Sequence, residues 1–141
     1  MREAAIFVHV LGLLLWIGGT VAGALTAAHL AAAPKEARGE GLIAVRRVMI
    51  VLGVPGVLLA WAGGLGMLVP GWSETYAHAG WMHGKLTVAL LLTALGGMLT
   101  GRIRRAAAGS EPSAPALRGL AIAFLVLAAM AVALVAVRPG A

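Results

Sequence analysis

The chain contains no cysteine, which removes disulfides, thiolate-held metals, iron–sulfur clusters and cysteine nucleophiles together. Charge is also scarce: 11% of the 141 residues are Asp, Glu, Lys or Arg, where a soluble domain carries about a quarter. Carboxylates are the scarcest, five in all. None falls inside an apolar run, so a transmembrane proton relay lacks its groups. Hydrolytic chemistry lacks a Gly-x-Ser-x-Gly elbow and a phosphate loop. The net charge of +6 is not accompanied by a basic stripe interleaved with aromatics, which excludes nucleic acid as a partner.

What remains is apolar. Hydrophobic residues make up 61% of the chain and the mean hydropathy is +0.97, a composition suited to lipid. Four runs, at about 4–33, 48–69, 81–103 and 116–137, each approach or exceed the roughly 20 residues needed to cross a hydrocarbon core of about 30 Å. Their Ala, Leu and Gly show no period-two alternation, and lipid-exposed backbone must satisfy itself. The expected fold class is therefore all-α, an integral membrane four-helix bundle forming one domain over 1–141. The breaks fall at Pro34 to Glu40, Pro70 to Glu74 and Arg104 to Pro115, where charge, Pro and Gly cluster. The first run exceeds the 7–15-residue core of a secretory signal and follows Arg2-Glu3, so it is expected to be a retained span.

Eight of the eleven basic residues (Lys35, Arg38, Arg46, Arg47, Arg102, Arg104, Arg105 and Arg118) lie in or beside the first and third connections. The positive-inside rule then places both termini on the outer side of a bacterial-type inner membrane. Trp72, Tyr76 and Trp81 form an aromatic belt at that outer interface. Three Gly-xxx-Gly pairs, Gly19/Gly23, Gly80/Gly84 and Gly97/Gly101, suit close helix packing or a flat surface against a planar cofactor. Pro55 is expected to kink the second helix, because it removes a donor and clashes with the preceding turn.

Polar residues inside the apolar runs single out a site. His9 and His83 sit near the starts of two helices that run the same way, hence at similar depth. Two imidazoles from different helices can hold a six-coordinate haem iron inside a bundle, or can simply bond carbonyls across helices. Trp16 follows His9 by seven residues and returns to nearly the same face, with Gly12 and Gly19 flanking it. Lys85 is a second charge within a span, which marks function or a snorkelling side chain. It stands two residues from His83 and so points to a different side. Met67 and Met82 reach the same depth and offer thioethers to haem or copper, or fill the core. His29 and His78 are expected to be solvated.

Phe7-Val8-His9 leading to Trp16-Ile17-Gly18-Gly19, together with Trp81-Met82-His83-Gly84-Lys85-Leu86, resembles the HemJ family of membrane protoporphyrinogen IX oxidases. Arg47, Pro55, Gly63 or Gly64 and the closing Val137-Arg138-Pro139 match as well, so the likeness touches all four helices. CopD-like copper-resistance membrane proteins share the His-to-Trp-Gly opening. The chain departs from the HemJ pattern in having no Arg after the first helix's glycines and in reducing an Asn-Glu-x-Pro opening to Glu111-Pro112 and Pro115. The resemblance implies haem b held by His9 and His83, with Trp16, Gly19 and Met67 beside the cofactor. It implies Lys85 as the catalytic residue that holds or deprotonates substrate in porphyrin biosynthesis, six hydrogens passing to a quinone or other membrane acceptor. The copper-binding reading, a non-catalytic assembly subunit and a homo-oligomer stay open at this point.

Overall fold

A computed structural model describes residues 1–137; Arg138 and Pro139 of the closing motif lie outside the described residues. Five α-helices follow one another: α1 (Arg2–Leu30), α2 (Lys35–Val48), α3 (Val54–Leu68), α4 (Gly80–Ala107) and α5 (Ala114–Val137). Helices α2 and α3 belong to one continuous helical stretch, so four spans are long and apolar enough to cross a membrane. The chain is an all-α membrane bundle, as composition requires.

The second span starts earlier than its apolar run. Pro34 to Glu40 reads as a connection, but α2 begins at Lys35. Glu, Lys and Arg are good helix formers, so hydropathy marks where lipid stops and not where the helix stops. The stretch Lys35–Tyr76 contains 42 residues, roughly 63 Å at the α-helical rise, about twice the hydrocarbon thickness. Its first turns carry the charge, and Leu42 and Val45 are buried on one side, so α2 is an amphipathic extension of the span. At the same end Arg38 Nη2 donates to Glu111 Oε1 at 2.9 Å, tying the start of α2 to the connection between α4 and α5.

Pro55 is accommodated one turn earlier. Residues Met49–Gly53 form a π-helical turn and Pro55 enters the first turn of α3, where its missing N–H and its ring are tolerated. The break between α3 and α4 is likewise partly helical, with a 3₁₀ turn at Val69–Gly71 and a π turn at Trp72–Tyr76. Helix α4 ends at Ala107, followed by Gly109 at φ +105°, a conformation that suits glycine.

Packing is closest between α1 and α3, where glycines let the backbones meet. A methyl group on Gly63 would stand 2.5 Å from the His9 amide nitrogen, and one on Gly56 would stand 2.5 Å from that of Trp16. Gly19 faces the Leu52 Cβ and Gly23 faces the Met49 side chain, so the first Gly-xxx-Gly pair seats the π turn. The other two pairs behave differently. Gly80 and Gly97 have open space in front of them, and Gly84 meets only the Leu134 side chain at 3.5 Å.

This contrast makes a prediction. Gly63→Ala pushes a Cβ into the α1 backbone and is expected to destabilise the bundle by about 1–3 kcal/mol, whereas Gly97→Ala changes nothing measurable. Thermal unfolding in detergent checks both, and equal melting temperatures for the two variants would refute the packing argument.

The core lies below the midpoint of α1. Trp16 and Phe124 meet edge to face with centroids 5.7 Å apart, and Leu92, Leu99, Ile103, Leu117 and Ala121 belong to the same buried cluster. Outward-facing Leu14, Leu58, Leu90 and Val132 are all more than 60% exposed, the arrangement that lipid favours. Helix α5 packs against α1 and α4, whereas α3 and α4 hardly touch although they are consecutive. That separation leaves a hollow above Trp16.

Candidate functional site

The hollow is a cavity of about 480 Å³, within the roughly 300–1,000 Å³ of ordinary ligand sites. Helix α1 contributes Arg2, His9, Leu13, Trp16 and Ile17. Arg2, His9 and Trp16 are spaced by seven residues, so they form a column of cation, imidazole and indole on one face, with rungs roughly 10 Å apart. Trp16, only 6% exposed, forms the floor. Helix α3 supplies Ala60, Trp61, Gly64 and Met67; α4 supplies Trp81, Met82, Lys85, Leu86 and Ala89; α5 closes the back with Ala128, Ala131 and Val135. Arg2 and Ala136 line the same cavity, so the described chain starts and finishes at one end of the bundle.

His9 is the most constrained polar group. Its Nδ1 donates to the Ala60 carbonyl oxygen at 2.6 Å, and in a neutral ring that tautomer leaves the lone pair on Nε2. Metal-ligating histidines commonly have their second nitrogen tied to a carbonyl in this way. Gly64 makes the arrangement feasible, since a Cβ there would stand 3.2 Å from Nδ1 and 3.3 Å from Cε1. The ring therefore lies against α3 as though on a flat shelf.

Lys85 is half-buried in the second turn of α4 and lines the cavity. Among the described lining residues none is a carboxylate, and neither Lys85 nor Arg2 forms an ion pair among the described residues. Lower down, Trp61 Nε1 donates to Thr93 Oγ1 at 3.1 Å, and Thr93 Oγ1 donates in turn to the Ala89 carbonyl at 2.8 Å. This pair bridges α3 and α4 below the widest part of the hollow.

The structure thus brings together His9, Trp16, Met67, Met82 and Lys85, and it leaves His83 and Gly19 elsewhere. His83 is exposed on another side of α4, where its Nε2 bonds the Ala77 carbonyl at 2.9 Å and its ring meets Trp72 edge to face at 5.7 Å. The expectation that His9 and His83 share one site is corrected accordingly: matched depth does not fix which way a side chain points around a helix. Gly19 packs on Leu52. Among the described residues, no group of three or more His, Cys, Asp or Glu is placed to hold a metal ion.

Sequence reasoning missed Arg2, Trp61, Gly64's role under the imidazole, and the α5 wall. The seven-residue step from Arg2 to His9 was a usable signal. The small residues of α5 offered none.

These features define a four-span membrane protein with an apolar cavity, lined by two cations, at one end of its bundle. Compared with family models, with curated proteins and with solved structures, the chain matches none.

Proposed function

We propose that the chain is a membrane oxidoreductase that binds haem b in this cavity and resembles the HemJ-like protoporphyrinogen IX oxidases. The observation carrying the proposal is His9, seated on Gly64 with Nδ1 bonded to Ala60 and its ring on the wall of a cavity of about 480 Å³. Its Nε2 would be the atom that holds the haem iron. Bound haem supplies one-electron chemistry whose potential depends on the axial ligands and on burial. The protein residues do the rest. Trp16 would close the floor beneath the haem, the apolar walls would exclude water, and Lys85 would hold a carboxylate of the substrate at the cavity's margin. Met67 and Met82, on walls formed by other helices, are the thioethers that would offer a second ligand; His83 does not line the cavity. Oxidation of the porphyrinogen removes six hydrogens, which reduce three quinones to quinols in the same membrane.

The deciding measurement is the visible spectrum of detergent-purified protein, oxidised and then reduced with dithionite. A Soret band with a reduced α band supports the proposal. A colourless protein after haem has been supplied during expression overturns it, and metal analysis of that sample would then test copper on the same His9, Met67 and Met82 donors.

The charge distribution sets the orientation within a bacterial-type inner membrane. Labels at residues 1 and 141 are expected to report the outer compartment, and labels near Arg38 and Arg105 the cytoplasm. The reverse pattern would place the cavity at the cytoplasmic face.

A further inference from the structure

We propose that the junction of α4 and α5, at the end of the bundle opposite the cavity, is a binding site for the phosphodiester headgroup of an anionic phospholipid. A second hollow, of about 130 Å³, lies between the last turns of α4 and the first turn of α5. Arg102 and Arg105 line it from α4, and at a spacing of three they are neighbours on one helix face. Gly109, at φ +105°, ends α4 in a turn that the Ser110 N–H closes on the Arg105 carbonyl at 3.0 Å. Ser110, Glu111 and Ser113 then line the hollow from the connection, and buried Leu117 adds an apolar wall. One ion pair sets the charge of the site. Glu111 is the one carboxylate among the described lining residues, and Arg38, which stands outside the lining, offsets it at 2.9 Å. Arg102 and Arg105 have no ion pair among the described residues, so two guanidinium charges are left for an incoming anion. Ser113 Oγ accepts the Ala116 N–H at 3.4 Å, which keeps its O–H available as a donor. Depth then selects the ligand. Arg102 falls in the closing residues of the apolar run 81–103, the level at which hydrocarbon gives way to headgroups, and basic pockets between spans at that level take anionic lipids. Both arginines are exposed, hence open to a lipid standing beside the bundle. A guanidinium meets two phosphate oxygens through parallel N–H donors, whereas a choline headgroup would bring its own cation against them.

The test is native mass spectrometry of the full-length protein in detergent, titrated with phosphatidylglycerol or with phosphatidylcholine of the same acyl chains. The wild type is expected to hold one phosphatidylglycerol about tenfold more tightly than phosphatidylcholine. Arg102→Gln/Arg105→Gln should bring that ratio close to one. Arg46→Gln/Arg47→Gln removes the same charge from exposed positions of α2 outside the hollow and should leave the ratio unchanged. If the first pair cannot be purified, Arg102→Gln and Arg105→Gln are read singly, each with an expected loss of about threefold. A wild-type ratio in the Arg102 and Arg105 variants overturns the proposal. Equal losses in both pairs overturn it as well, since the preference would then belong to the basic surface at large. Ammonium phosphate is added to the lipid-bound wild type as the last arm. Retention of the lipid supports a headgroup site, and its displacement by equimolar phosphate would assign the hollow to the free anion instead.

Discussion

His9→Ala is expected to yield a protein that still purifies as a folded bundle but has lost its low-spin haem spectrum. Among the described residues lining the cavity His9 is the one imidazole, and its Nδ1 is tied to a carbonyl; under the haem reading, iron deprived of a ligand becomes five-coordinate or leaves. Removing the ring also frees the Ala60 carbonyl from this bond, but that oxygen belongs to α3 and stays within the helical backbone. Haem content by pyridine haemochrome should fall at least tenfold, which is the scale of losing a principal metal ligand. His83→Ala provides the contrast. Its ring bonds Ala77 and packs on Trp72 away from the cavity, so the spectrum is expected to persist. Loss of the low-spin bands in His83→Ala with retention in His9→Ala would reverse the assignment.

Lys85→Met is expected to abolish turnover of a porphyrinogen while haem content stays near normal. Methionine keeps much of the length and packing of the lysine stem but removes the ammonium, so the α4 wall survives and the substrate's carboxylate loses its partner. A loss of at least a hundredfold in kcat/KM is on the scale of deleting a charged group that binds in a site of low dielectric. Measured porphyrin formation and haem content on the same preparation separate the roles. Parallel loss of both would make Lys85 a structural residue.

The spans were legible because lipid imposes one rule on every residue within it, and runs of Ala, Leu and Val obey that rule regardless of neighbours. Helix ends were less so. Lys35 to Val48 carries the charge of a loop and the periodicity of an amphipathic helix, and only packing against α1 and α4 decides between them. His9 and Lys85 stood out as polar groups within apolar runs, and both line the cavity. His83 stood out equally. It lies two residues from Lys85, so the two cannot face the same way on α4, and local sequence gives no reason to prefer one. The preference comes from α3 standing apart from α4 and from α5 filling the other side, relations between helices that no single span encodes.

The π turn at Met49–Gly53 closes its hydrogen-bonded ring with one more residue than an α turn uses. All that follows it on α3 is therefore phased by that extra residue. Gly56, Ala60 and Gly63 meet α1 only because the count is right, and Gly64 and Met67 inherit their places at the cavity from the same count. Deleting one residue from this turn would rotate the rest of α3 by roughly 100° about its axis, carrying the shelf beneath His9 away while leaving hydropathy almost unchanged. The fit of the site is in this sense kept by arithmetic, three to four helical turns from the imidazole it serves.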